Sequence, residues 1–97
     1  MTNTQHLNQL LESIAELTGE ATTREQAKLK GHERFLYLEN ASVYGGWRLV
    51  SVGVNNGAHY GAFGGNGCEP RLKYKEMVIK LEGILAGLNC LNTIINK

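Results

Sequence analysis

The residues of this chain best suited to chemistry lie between positions 59 and 76. Cys68 follows a run of glycines, His59 precedes that run, and Glu76 lies one turn into a predicted helix. A cysteine nucleophile needs a base within hydrogen-bonding distance and surroundings that favour the thiolate, and the spacing establishes neither. There is no Cys-x-x-Cys, and the three histidines are scattered. His6 and His32 lie in polar segments and are predicted to be plain surface residues. The sequence therefore predicts a protein that is not an enzyme and that holds no cofactor or metal.

The same segment is rich in groups that bind anions. Its glycines precede the last predicted helix, where backbone N–H groups and the helix dipole favour an anion. Cations at a helix start oppose that dipole, so phosphate contact would explain the basic run that follows. The alternatives are a plain strand-to-helix connection and a solvated charged face. The candidate nucleic-acid or anion site consists of Gly64, Gly65, Asn66, Gly67, Arg71, Lys73 and Lys75.

Two other features indicate an interaction surface. Tyr44 and Tyr60 belong to an aromatic group that could stack on a partner from an open sheet face, whereas Trp47 is predicted to be core. Gly83 and Gly87 lie four residues apart in the last helix, where each costs up to about 1 kcal/mol relative to alanine. We expect a close contact where the helix crosses the sheet; the alternative is the seam of a homodimer.

The pattern of apolar residues predicts the elements that position these groups. The predicted elements are a helix over 4–17, strands over 34–39, 47–54 and 58–63, and a helix from 73 to 92 or beyond. Thr2 and Gln5 have capping-box spacing, and Gly19 is placed to end the first helix. Asn56-Gly57 predicts a two-residue type I′ hairpin turn.

The predicted fold class is α+β, in the order helix–strand–strand–strand–helix. A three-stranded antiparallel meander packs against two helices, and its other face is open to water or a partner. Residues 1–97 form a single domain. Residues 20–33 are predicted to be a mobile connection, with a short helix ending at Gly31 as the alternative.

Composition narrows the function classes. The net charge of +1 does not indicate bulk binding to nucleic acid, although the basic run can still form a local patch. No apolar run is long enough to span a bilayer, so no membrane partner is expected. The N-terminus lacks a basic start and an apolar core, which predicts a cytoplasmic location. Cys68 and Cys90 are then expected to be free thiols, with a disulfide between them as the alternative.

Two resemblances rest on particular residues. The order of elements, with glycines and basic residues before the last helix, resembles the double-stranded-RNA-binding domain. In that family, lysines at the start of the second helix contact phosphates, and Arg71, Lys73 and Lys75 match them, although the family's Gly-Pro-x-His segment is absent. Residues 44–49 (Tyr-Gly-Gly-Trp-Arg-Leu) and 71–77 are similar to small uncharacterised proteins of gut bacteria and their phages or mobile elements. That resemblance implies such an origin and no particular activity.

These observations together favour a small non-catalytic binding or accessory domain. The near-neutral charge favours protein–protein interaction or self-association. The alternative is nucleic-acid binding through the basic start of the last helix and the glycines before it.

Overall fold

The computed structural model describes residues 2–41, 45–62 and 71–95. The described chain forms α1 (Asn3–Thr18), α2 (Arg24–Lys30), β1 (Arg34–Ala41), β2 (Gly46–Gly53), β3 (His59–Gly61) and α3 (Tyr74–Ile95). The three strands make one antiparallel sheet in the order β1-β2-β3. The predicted α+β class and the order of its main elements are confirmed. The short helix α2, held as the alternative for residues 20–33, is an additional element.

Local capping interactions set the ends of the first two helices. The Thr2 hydroxyl accepts from the Gln5 backbone N–H at 3.1 Å, and the Gln5 side chain accepts from the Thr2 N–H at 2.8 Å. This is the predicted capping box. Gly19 ends α1 with a φ of 77°, and Gly31 ends α2 with a φ of 74°. Both glycines adopt the left-handed conformation that a helix C-terminus favours.

The main core lies between one face of the sheet and the helix pair α1–α3. Period-two alternation in β2 turns Trp47 and Leu49 toward this core, as predicted. β1 contributes Leu36 and Leu38, and the helices contribute five further large buried side chains: Leu7, Leu11, Ile14, Met77 and Leu81. His6 and Tyr74 join α1 to α3 through a hydrogen bond between the imidazole Nδ1 and the phenol oxygen. His6 is therefore an inter-helix contact, and the sequence-based assignment to a plain surface position is wrong.

The second face of the sheet is less open than expected. Val50 and Val52 are buried there, although neither belongs to the main core. Val54 continues the same alternation and is buried with Ala21 and Ala27, which belong to the segment containing α2. The polar segment between α1 and β1 therefore contributes a second small core. Tyr37, which is 46% exposed, marks the part of this face that remains accessible.

The connection between β2 and β3 differs from the predicted two-residue turn at Asn56-Gly57. The Gly53 N–H donates to the Ala58 carbonyl at 2.9 Å, and the Gly57 N–H donates to the Gly53 carbonyl at 3.0 Å. Four residues, 54–57, therefore lie inside the loop. The type I′ prediction is wrong.

Val54 provides the physical reason for the longer loop. Its backbone N–H donates to the Glu33 carbonyl at 2.9 Å, and its side chain is buried in the second core. These contacts hold Val54 beside β1, where it cannot pair with β3 as a two-residue hairpin would require. Asn56 instead uses its side-chain oxygen to accept from the Ala58 N–H at 3.0 Å, which is an Asx-type turn.

A further segment pairs with β2 beyond the end of β3. Trp47 and Leu72 exchange two backbone hydrogen bonds, each 2.7 Å long. If β3 continued in the same register, residue 64 would lie opposite Trp47. Leu72, eight residues later in the chain, pairs with Trp47 instead. Gly61 and Leu72 therefore lie on the same edge of β2, and Leu72 leads directly into α3.

Gly46 permits this close approach. Its φ is 146°, and a Cβ at this position would overlap the carbonyl of Leu72. Gly45 has a φ of 84°. The chain is therefore distorted at Gly45-Gly46, and this distortion allows residue 72 to lie against the start of β2.

Candidate functional site

Arg71 lies in an ionic cluster on the second face of the sheet. Leu72 packs against the main core, so alternation turns Arg71 to the opposite side. There Arg71 Nη2 donates to Glu39 Oε1. Arg48, directly opposite Glu39 in the β1–β2 register, donates from Nη2 to Glu39 Oε2 at 3.0 Å. One carboxylate on β1 thus holds arginines from β2 and from the segment that precedes α3.

His59 completes the cluster from β3. Its Nδ1 lies 2.9 Å from Glu39 Oε2. Hydrogen bonding by Arg71, the largest cause, and by Arg48 lowers the pKa of Glu39 from 4.5 to about 2, although burial acts in the opposite direction. The carboxylate is therefore ionised at neutral pH, which makes His59 Nδ1 the donor in this contact.

This arrangement has one chemical feature in common with catalytic sites. A carboxylate that accepts from Nδ1 orients an imidazole and leaves Nε2 on the other side of the ring. The nucleophile suggested by the sequence, Cys68, lies outside the described residues. Glu76 is not the carboxylate of His59, because its Oε1 accepts from the Lys73 backbone N–H at 3.0 Å at the start of α3.

The partner that sequence reasoning missed is Glu39. Oppositely charged side chains directly across an antiparallel pair attract each other, and Glu39 with Arg48 is such a pair. The signal was present in the sequence but required the strand register, which residue spacing alone leaves undetermined.

The predicted anion site is only partly described by the structure. Gly64, Gly65, Asn66 and Gly67 lie outside the described residues. Of the basic side chains, Arg71 is engaged by Glu39, whereas Lys73 and Lys75 are exposed at the start of α3. Of the described members of the predicted site, Lys73 and Lys75 are thus the two that face solvent.

The predicted aromatic surface is also divided. Tyr44 lies outside the described residues, and Trp47 is in the core as predicted. The guanidinium of Arg34 lies 3.7 Å above the centre of the Tyr60 ring, and the Tyr60 hydroxyl accepts from Asn56 Nδ2 at 3.1 Å. One face of the Tyr60 ring is therefore covered by a contact within the chain, a cation–π pair with Arg34.

The outer face of α3 is turned away from the core. We define it as Ile79, Gly83, Ala86, Gly87, Cys90 and Leu91. Ile79 is 73% exposed and Leu91 is 51% exposed. A Cβ at Gly83 or Gly87 would meet no atom of the described chain within 4 Å. The expectation that these two glycines pack where the helix crosses the sheet is therefore wrong.

From Gly83 onward, the outer face of α3 also lacks the charges that a solvated helix normally carries. No Asp, Glu, Lys or Arg occurs from Gly83 to Ile95. A helix at the surface of a globular protein usually presents charged side chains opposite its buried stripe, and a helix that is apolar all round is usually buried. From Gly83 to Leu91, α3 therefore carries no charge, although its outer face is exposed.

Other kinds of site find no support in the described part of the chain. Its His, Cys, Asp and Glu side chains form no group of three that could hold a metal ion. None of the described helices is long and apolar enough to cross a membrane.

His32 uses Nε2 to contact the Gly19 carbonyl at 2.9 Å, so it has a structural role at the end of α1 rather than the plain surface position expected for it.

Comparison with known proteins identifies no relative of this chain. No protein-family model, curated protein or solved structure matches the chain. The candidate surface therefore rests on the structure of the chain alone, and it is the exposed outer face of α3.

Proposed function

We propose that this chain is a small non-catalytic binding domain that self-associates, and that the outer face of α3 is the surface shared by two copies. The observation that carries the proposal is Ile79, an isoleucine 73% exposed beside two helical glycines where a Cβ would meet no atom of the other described elements within 4 Å. Burial of an isoleucine side chain contributes roughly 1.5–3 kcal/mol. Each helical glycine costs up to about 1 kcal/mol, and close approach of another backbone would offset that cost.

Nucleic-acid binding has less support. Its central residue, Arg71, is hydrogen-bonded to Glu39, which leaves Lys73 and Lys75 as the exposed cations of the predicted site. Two exposed lysines on a chain of net charge +1 give a weak electrostatic footprint. We therefore do not propose nucleic-acid binding, although the experiment described next would detect it.

The test compares two charge substitutions by light scattering coupled to size exclusion over a range of protein concentrations. Ile79→Glu places a carboxylate in the proposed interface, whereas Leu29→Glu places the same carboxylate on α2, at a leucine that is 89% exposed. We expect the wild type and Leu29→Glu to form dimers as the concentration rises, and Ile79→Glu to remain monomeric. Circular dichroism of both variants checks that each is folded.

Two results would overturn the proposal. One is a monomeric wild type at every concentration. The other is a salt-sensitive complex with an RNA and DNA oligonucleotide pool that is lost when Lys73 and Lys75 are replaced by alanine, because the nucleic-acid alternative predicts that behaviour.

A further inference from the structure

The outer face of α3 contains a symmetric row of residues. Ile79, Gly83, Gly87 and Leu91 follow one another at intervals of four. Side chains spaced in this way form a single ridge along a helix. The row has a large apolar residue at each end and two glycines in the middle, so it reads the same in both directions about the level of Leu85.

We propose that two copies pack with their α3 helices antiparallel, related by a two-fold axis at the level of Leu85. This inference rests on the proposed self-association and adds its geometry. In this arrangement Ile79 of one copy contacts Leu91 of the other, and Gly83 lies against Gly87. Helices that meet along their i±4 rows cross at about −50°, with axes about 8 Å apart when the contact residues are small.

The glycines make this approach sterically feasible. Neither glycine is filled from within the chain, since a Cβ at Gly83 or Gly87 meets no described atom within 4 Å. The row is therefore a shallow groove bounded by Ile79 and Leu91. In a second copy turned by the two-fold axis, Leu91 lies against Ile79 of the first copy, and the glycines of the two copies lie against each other. The surface is thus complementary to itself, as a two-fold interface requires.

Charge selects the antiparallel orientation. The charged side chains of α3 all lie in its first half: Lys75, Glu76, Lys80 and Glu82. A parallel pair would set each of these opposite its own copy, and like charges in contact are destabilising. The antiparallel pair sets the charged half of one helix against the uncharged half of the other. Because α3 carries no Asp, Glu, Lys or Arg from Gly83 to Ile95, the antiparallel pair places no like-charged side chain of α3 opposite the partner's first half.

The test is cysteine cross-linking in the full chain carrying Cys68→Ser and Cys90→Ser. Ile79→Cys and Leu91→Cys are made separately in this background and oxidised alone and as an equimolar mixture. We expect the mixture to give a covalent heterodimer several-fold above the level of either variant alone. Leu29→Cys, at an exposed position on α2, measures the yield from random collision.

The outcomes separate the orientation from the proposed function. Cross-linking of Ile79→Cys to itself and Leu91→Cys to itself, with no enrichment in the mixture, would show a parallel pair and overturn this inference alone. Dimers in light scattering, combined with a cross-linking yield of the Ile79→Cys and Leu91→Cys mixture no higher than that of Leu29→Cys, would also overturn this inference. The proposed self-association would then still hold. A monomer in light scattering would overturn the proposed function, and this inference with it.

Discussion

Glu39 is the residue on which the second face of the sheet depends. Its carboxylate contacts Arg48, His59 and Arg71, and these side chains come from three different parts of the chain. Loss of the carboxylate leaves two guanidinium groups close together without the charge between them. We therefore assign Glu39 a structural role: it holds the segment that leads into α3 against the sheet.

The pH dependence of folding tests this role. The pKa of Glu39 falls from 4.5 to about 2 on folding, so its stabilising contribution is present above pH 4.5 and is lost as the pH falls toward 2. We expect Glu39→Gln to lower the free energy of unfolding at pH 7 by about 1–3 kcal/mol. The difference from wild type should shrink between pH 4.5 and 2 in denaturant titrations. Glu12→Gln, at an exposed position of α1, should change little at any pH.

A difference between wild type and Glu39→Gln that stays constant from pH 7 to pH 2 would contradict this role. So would a variant as stable as wild type at pH 7. Either result would mean that the two arginines are held by other contacts and that the cluster does not depend on the carboxylate.

At the scale of secondary structure, two glycines test how β2 and α3 are packed. Gly46→Ala should destabilise the fold by about 2–4 kcal/mol, because the φ of 146° is strained for alanine and the new Cβ overlaps the Leu72 carbonyl. Gly83→Ala should stabilise the monomer by about 0.5–1 kcal/mol, because its Cβ enters open space in a helix. Denaturant unfolding at low protein concentration measures both.

The two glycine variants act as controls for each other. A destabilising Gly83→Ala in the monomer would mean that α3 packs against its own chain at this point. A neutral Gly46→Ala would mean that the pairing of Leu72 with Trp47 is absent in solution.

Elements that depend on neighbouring residues could be predicted from the sequence. The capping box of Thr2 with Gln5 and the glycines that end α1 and α2 are local signals, and each is present in the structure. The turn after β2 was predicted wrongly because Val54 is held by contacts with Glu33 and with α2, which are distant in sequence. Tertiary contacts of this kind override a dipeptide turn signal.

The candidate site shows the same limit. The side of α3 on which Gly83 lies can be read from helical periodicity, since the buried stripe through Met77 and Leu81 places Gly83 on the opposite side. The sequence-based expectation of sheet contact did not use that geometry. The Glu39 cluster required the register of two strands and the position of Leu72, and neither follows from residue spacing alone.

At the scale of the whole molecule, the fold buries its two sheet faces and one side of α3 unequally. The main core covers one sheet face, the second small core and the ionic cluster occupy the other, and the outer face of α3 remains exposed and uncharged from Gly83 onward. A self-associating domain gives this remaining face a partner of matching character. Self-association through α3 therefore requires that a second copy covers its outer face in solution.

Nuclear magnetic resonance of the backbone amides on dilution tests this claim most directly. We predict that dilution shifts the signals of Ile79, Gly83, Gly87 and Leu91, while those of β1 and β2 stay unchanged. Spectra that are identical at all concentrations, from a sample that light scattering shows to be monomeric, would contradict the account. Shifts confined to the sheet face around Tyr37 and His59 would also contradict it, because they would place the interface on the opposite surface.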